Sequence, residues 1–412
     1  MMFSVRSAIL IFCMLLAGTT NTITRKMCFD SSAAGVANKS ANGTRTIHPY
    51  NKPWFQTFTM FLGEIQCFVV FFIIRLCNVQ QEINSSYQKN ASLKLRYPYQ
   101  FMPYCTKLLK RTLHWIFLVL SCCDLLATII SGIGLLYIDA SIWQMMRGSL
   151  IIFAGLISVV FLRRKLQPFH WTGMFITMLG LVLVGSKSIF GNETNKHSPL
   201  QSALGVTLVL VGALTSAAQM IVEEIYMQRH GYHPLQALGA EGVYGTIVVG
   251  FVALPIVHWI PGSDINGSYE NVLDALVQIG SNTTLLVNSI LYLISMAWFN
   301  YCGFEIARTL STVHRTLIDA LRTAFVWITG LILYYAVGQQ FGEPFSAGWG
   351  LIEMCGFALL LIGTMIYNQV MDLSFIRGCN RLPVQENVTM TKLNSHPDDA
   401  VVSESPEYLT AV

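Results

Sequence analysis

Six ionisable side chains stand inside long apolar runs of this 412-residue chain: Glu64, Asp124, Arg147, Glu241, Asp319 and Arg322. A charge in such a run is costly, so it faces a partner or a water-filled cavity. Glu64 ends Phe61-Leu62-Gly63-Glu64, Asp124 follows Cys122-Cys123, and Arg147 follows Gln144-Met145-Met146. Glu241 lies in Gly239-Ala240-Glu241-Gly242. Asp319 and Arg322 are three apart, on one helix face, and can pair. Gln144, Asn300 in Trp298-Phe299-Asn300-Tyr301, and Asn21 with Thr22 at the close of the first apolar run add uncharged polar groups. Two chemistries are open. Ion pairs could pin helices together, Asp319 with Arg322, and Arg147 with Asp124 or Glu64. Alternatively, the arginines bind an anionic group of a solute, since guanidinium meets carboxylate and phosphate with two parallel hydrogen bonds. Four carboxylates against two guanidiniums leave a surplus of acid, which is neutral or carries a proton during transport.

No catalytic set accompanies them. There is no HExxH, no GxSxG and no Gly-rich phosphate loop ending in Lys-Ser/Thr. His114, His170 and His258 are isolated near helix ends. The expectation is a protein that is not an enzyme and holds no cofactor or metal.

The elements that must position these residues follow from composition. Hydrophobic residues make up 53% of the chain and charged ones only 12%, about half the charged share of an ordinary soluble domain. Lipid is therefore the solvent. The net charge of +4 is dispersed, with no basic block to meet nucleic acid. Most of the ten cysteines lie in apolar runs and serve as small fillers. A membrane helix needs roughly 20 mostly apolar residues. Ten stretches qualify, near 5–24, 54–76, 113–137, 143–162, 169–188, 202–225, 236–260, 284–305, 314–336 and 346–369. The fold class is an all-α integral membrane protein. The stretch 77–112 reads as a cytosolic loop, and 371–412 as a polar, disordered cytosolic tail. The first stretch also has the look of a signal peptide, with Arg6, a short apolar core and small residues; we take it as an uncleaved helix.

Most of the 26 basic residues fall on the cytosolic side if both termini are cytosolic, the Arg163-Arg164-Lys165 turn above all. The first outer loop dissents, with Arg25, Lys26, Lys39, Arg45 and Lys52. In this orientation the sequons at Asn38, Asn42, Asn192, Asn266 and Asn282 face outward as glycosylation sites, while Asn84, Asn90 and Asn387 stay inside.

An internal repeat sharpens the picture. The fourth stretch carries Arg147 and Gly155, the ninth Arg322 and Gly330, at the same eight-residue spacing. Each is followed by a Gly-rich helix with a tryptophan, Trp171 or Trp349. Duplication of an odd number of spans inverts the second copy in the membrane, an architecture transporters use to hold solute between the halves. The halves are then 1–190 and 200–370.

These residues resemble the drug/metabolite transporter superfamily, and within it the solute carrier 35 family, F subfamily. The matching strings are Gly18-Thr-Thr-Asn21-Thr22 with Lys26, Met60-Phe-Leu-Gly-Glu64, Gln144-Met-Met-Arg147-Gly148, Glu241-Gly242, Phe299-Asn300 and Leu317-Ile-Asp319-Ala-Leu-Arg322. The resemblance covers nearly the whole chain to about residue 370. It implies ten helices in two inverted five-helix halves and transport of a nucleotide sugar or another organic metabolite by alternating access. It also implies an endomembrane, lysosomal first, with Golgi and plasma membrane as alternatives. Nucleotide sugars carry two phosphates, and few buried basic residues are in view to meet them. A carrier of cationic drugs, amino acids or peptides with an acidic cavity is the second reading, and a non-transporting scaffold the third. The lipid bilayer and a small solute are the expected partners. Thr410-Ala411-Val412 fits a PDZ groove and Tyr99-Gln100-Phe101-Met102 a sorting signal, as short strings do by chance.

Overall fold

The computed structural model describes residues 5–371 except 37–45, 90–113, 162, 164–165, 191–197, 231–232, 263, 311, 337, 339–341, 343–344 and 346. Among these described residues, ten helices are long and apolar enough to cross a membrane. They are α1 (Val5–Asp30), α2 (Pro53–Lys89), α3 (Trp115–Tyr137), α4 (Ala140–Val160), α5 (Pro168–Phe190), α6 (Pro199–His230), α7 (Leu235–Trp259), α8 (Thr283–Thr309), α9 (Thr312–Ala336) and α10 (Ala347–Tyr367). The all-α membrane fold stands as expected. Apolar side chains point outward from many of these helices, among them Phe12, Phe175, Val182, Phe251 and Ile332. That outward apolarity is how a bundle meets lipid, where helices satisfy their backbone internally.

The helices pack in pairs: α1 along α8, α2 along α7, α3 along α6, and α5 along α10. Exchanging each helix with the one five places on maps this set of pairs onto itself, which is compatible with two five-helix halves. Small residues set the approach. A Cβ on Gly180 would lie 2.7 Å from the Gly356 carbonyl, and one on Gly173 would lie 2.8 Å from that of Gly363. In lipid, where no hydrophobic force joins helices, such close backbone contact supplies the packing.

Two helices are interrupted. A 3₁₀ turn breaks α4 at Arg147–Ser149, and a π turn opens α7 at Val249–Ala253, just before Pro255. Irregular turns inside helices often mark working positions.

One end of the bundle carries a cap. A two-stranded antiparallel hairpin, β1 (Ser32–Ala34) and β2 (Ile47–Pro49), follows α1. A short cap helix, Val272–Ser281, precedes α8 and contacts β1. Asn271 begins it, its side chain accepting from Leu273 and Asp274 N–H. Glu270 accepts from the Trp54 and Phe55 N–H groups at the start of α2. Lys52 is buried between Asp264 and Asp274, forming ion pairs with both. Asp274 also accepts from His48 Nε2 and Val36 N–H, both at 2.8 Å. His48, Asp264 and Asp274 have ligand-like spacing, within 4.8 Å of one another. The Lys52 ammonium already serves as their cation.

The sequence reading is corrected in three places. Helix α1 runs on to Asp30, so Asn21 lies well inside it, and Arg25 and Lys26 are helical rather than loop residues. Helix α2 continues to Lys89, so 77–89 is not loop. Hydropathy ends a span where the membrane ends, whereas Gln, Glu and Lys are good helix formers that carry the helix into water. The cap helix arises within what was read as a loop.

Candidate functional site in the bundle centre

Arg147 stands at the 3₁₀ turn that interrupts α4. Residues Ala140–Met146 are all buried, yet Arg147 is exposed. Its charge interacts with Arg322 and Asp319 of α9, Arg25 of α1 and Asp124 of α3. Charges on three other helices act on it, so we take its exposed face to line an internal cavity rather than to meet lipid. Its guanidinium lies over the Trp143 ring, 4.9 Å from the centroid.

Two more arginines flank it. Arg25 is buried, 5.7 Å from the same Trp143 ring, and donates to the Thr128 carbonyl at 3.4 Å. Arg322 is 5% exposed, lies 4.5 Å over the Phe299 ring and meets Asp319 at 3.0 Å. Trp143 is fixed by Nε1–H bonds to Ser131, backbone and hydroxyl, both at 3.0 Å. The Nε groups of Arg25 and Arg322 have no hydrogen-bond partner among the described residues, and neither has Gln144 Oε1. Unpaired buried donors are rare because each costs the desolvation of a polar group. These atoms are sealed from solvent in this structure, so their unmet bonding capacity is held inside the bundle. Gly18 gives Arg322 its room: a Cβ there would stand 2.4 Å from Arg322 Cδ.

Four acids form a second group. Glu64 (α2), Asp124 (α3), Glu223 (α6) and Glu241 (α7) interact electrostatically as a group. Glu241 accepts from Gln219 Nε2 at 3.3 Å, and Ser121 donates to its carbonyl at 2.8 Å. Glu64 Oε2, Glu241 Oε1 and Asn300 Nδ2 lack a partner among the described residues. Glu64 is tucked against Gly242, whose added Cβ would approach Glu64 Cβ to 2.7 Å. Asn21 donates to the Tyr292 carbonyl and Met296 Sδ of α8, both at 3.5 Å. Arg147 is seven residues, roughly 10 Å, from the capped start of α4. Glu241 lies six residues from the opposite end of α7. Arg25 and Arg147 thus stand nearer the capped end, and Glu223 and Glu241 nearer the other.

A profile of the CRT-like, chloroquine-resistance transporter-like proteins matches residues 101–342. Solute carrier family 35 member F6 of Mus musculus is 32% identical over 379 residues, spanning 90% of this chain and 92% of the relative. The chain belongs to the CRT-like family. It also belongs to the solute carrier 35 family: the Rattus norvegicus and Homo sapiens F6 proteins are 31% and 30% identical over 359 residues, each covering 86% of both chains. These relatives are solute carriers and not enzymes, and the CRT-like chain is a multi-pass membrane transporter.

Within this CRT-like bundle the structure brings together Arg147, Asp124, Asp319 and Arg322, and separately Glu64, Asp124 and Glu241. Three charged members escaped the sequence reading. Arg25 stands at a helix end beside Lys26 and looks like a loop residue. Glu223, with Glu224, looks like a solvated helix end. Arg315, which interacts with Glu223 and Asp319, looks like part of the cytosolic fringe. Their signal was helical phase relative to the other charges, legible only once the helix ends are fixed. Of the sequons, Asn266 lies in the 3₁₀ turn Ile265–Gly267 and Asn282 caps α8, both at the capped end. Asn38, Asn42 and Asn192, the Tyr99 motif, the tail and Thr410–Val412 lie outside the described residues.

Proposed function

We propose that this transporter moves a small organic metabolite with an anionic group by alternating access, docking that group on Arg25, Arg147 and Arg322. The observation that carries the reading is the convergence of three guanidiniums from α1, α4 and α9 on one cavity, two of them with an unpartnered Nε. Guanidinium forks suit carboxylate and phosphate, and half-satisfied ones at the cavity wall are poised for a ligand. Nucleotide-sugar-like solutes fit this basic end. The acidic group of Glu64, Asp124, Glu223 and Glu241 favours a second reading, in which the solute also carries, or solely carries, a cationic centre: an amino acid, a peptide or a cationic drug. Two inverted halves, 1–190 and 200–370, rocking about the cavity are the mechanical part of this reading.

Uptake into proteoliposomes against nucleotide sugars, organic anions, amino acids and cationic amines is the deciding measurement. Saturable uptake of an anion or zwitterion, weakened in Arg147→Gln, supports the first reading. Uptake confined to cations, weakened in Glu241→Gln and indifferent to Arg147→Gln, would sink it. A purified, folded protein that moves none of these would favour the scaffold. We place the protein in the lysosomal membrane with glycans facing the lumen; co-localisation with lysosomal markers and a shift on deglycosylation are the checks.

A further inference from the structure

Outside the cavity, two further carboxylates are buried among the described residues of the bundle, Glu305 of α8, which pairs with Arg6, and Glu353. Glu353 of α10 is 1% exposed. It stands in Leu351-Ile352-Glu353-Met354, a charge in an apolar run like the six already described. Four helices meet on it. Lys187 of α5 pairs with Oε2 at 2.6 Å. Trp327 of α9 donates its Nε1–H to Oε2 at 3.1 Å. Ser141 of α4, itself wholly buried, donates its hydroxyl to Oε1 at 2.9 Å. Ser141 is in the first turn of α4 at the capped end, six residues before Arg147.

These partners are of two kinds. Lys187 and Glu353 lie on α5 and α10, which pack backbone against backbone at Gly180–Gly356 and Gly173–Gly363. Ser141 and Trp327 come from α4 and α9, the helices that carry Arg147 and Arg322. Breaking the ion pair would strand a buried charge. Releasing a hydroxyl and an indole leaves the charges paired and frees only neutral donors. The arrangement is therefore strong within the α5–α10 pair and weak where α4 and α9 attach to it.

We propose that Glu353 is a latch for the capped end of the cavity: it holds α4 and α9 against the α5–α10 pair, and releasing Ser141 and Trp327 opens the cavity at that end. This rests on the alternating-access reading above. Glu353 is a positioning residue and touches no solute. Lys187–Glu353 remains closed in both states, and the two neutral hydrogen bonds are the parts that switch.

The test needs no known solute. A cysteine at Gln144, three residues before Arg147, in a background with the other cysteines replaced, is challenged with a membrane-impermeant maleimide. The reagent is applied from each side of proteoliposomes of known orientation. Ser141→Ala and Trp327→Phe, alone and together, are expected to raise labelling from the capped side several-fold and lower it from the opposite side, with the double variant furthest along. Lys187→Met is expected to reduce folded yield instead, since it leaves Glu353 uncompensated. Labelling unchanged from parent in both single variants would overturn the proposal, as would an equal rise from both sides, the mark of loosened packing. Ser141→Ala removes one oxygen, so it stands if Trp327→Phe fails to fold. If parent and variants alike label from one side only under every condition, alternating access itself fails, a result distinct from failure of the latch.

Discussion

At the scale of single residues, the two arginines set at the same spacing from a glycine, Arg147 and Arg322, are not equivalent. Arg322 is buried, stacked on Phe299 and paired with Asp319; Arg147 is exposed to the cavity and stacked on Trp143. Arg147→Gln should leave thermal stability near the parent's and raise the KM for an anionic solute about tenfold, the size of one lost hydrogen bond between charged groups. Arg322→Gln should lower the melting temperature, consistent with a loss of about 1–3 kcal/mol for a buried polar contact. Pairing alone would let Asp319→Asn rescue that variant. The Asp319 side chain is 42% exposed, however, with only Oδ1 sealed against Arg322, so its charge costs less to leave unpaired than a fully buried one and the rescue should be small. Melting curves and uptake kinetics of the three variants measure this. Equal loss of folding in both arginine variants would remove Arg147 from the solute site. The charges of this site were legible in the sequence where each interrupts an apolar run. Glu353 carries that same signal and was left out of the sequence-derived set. Arg25 carries none, because its neighbours Thr24 and Lys26 already look like a helix end.

At the scale of elements, the glycine contacts and the cap make separate claims. A Cβ on Gly363 would lie 2.3 Å from Thr177 Oγ1 and 2.7 Å from Thr177 N. Gly363→Ala must push α10 off α5, an overpacking cost of about 1–3 kcal/mol, and a lower melting temperature in detergent is the expected result. The cap responds to pH through Glu270. Burial pushes its carboxyl up to about 8, against the opposing hydrogen bonds from Phe55 and Trp54 N–H and the charge of Lys52. A carboxyl raised in the folded state binds more protons there than in the unfolded chain, where it titrates near 4.3. Its contribution to stability is complete below about 4.3 and declines as pH rises towards 8. Asp274 runs the other way. Burial opposes its ionised form, but Lys52, Val36 N–H and His48 outweigh it and hold its carboxyl below the usual range. Its contribution is lost only as pH falls below about 3.9. Between pH 5 and 8, then, Glu270 sets the trend. Protection factors of residues 264–276, with intrinsic base-catalysed exchange divided out, should be higher at pH 5 than at pH 8, and Glu270→Gln should flatten the difference. A cap equally protected at both values would show that Glu270 does not govern it. The long helices were visible from hydropathy, but the cap helix was not: ten residues with Asp274 and Gln278 on its buried face look polar until the hairpin that buries them is known.

At the scale of the whole molecule, the ten spans were legible because lipid demands about 20 apolar residues from each. How those spans pair was not legible, since it depends on which glycines face one another. Orientation is a further expectation. Basic residues place the termini in the cytosol, which puts the cap, with Asn266 and Asn282, on the other side. Removing outward sequons should abolish glycan mobility shifts, while Asn84→Gln and Asn90→Gln should change nothing; a shift on losing either would invert the topology. The Asn282 carboxamide already caps α8 and donates to the Ser32 carbonyl, so any glycan there must share its nitrogen with that bond. Recovery of a chain beginning near residue 19 would instead mean that the first stretch is cleaved, and would remove Gly18 from beside Arg322.

The buried Lys52 also sets a schedule for biosynthesis. Its acidic partners, Asp264 and Asp274, are encoded more than 200 residues later; Asp264 alone is 212 positions downstream. A ribosome adding 5–20 residues per second reaches Asp264 roughly 10–40 s after Lys52. Throughout that interval the start of α2 lacks Glu270 and the ammonium must remain hydrated, so the first half of the chain waits in the membrane with its outer end unsealed. Quality-control factors that scan nascent membrane proteins for unpaired charge would meet this half as unfinished, and a first half made alone should be short-lived in cells unless the second half is supplied alongside it.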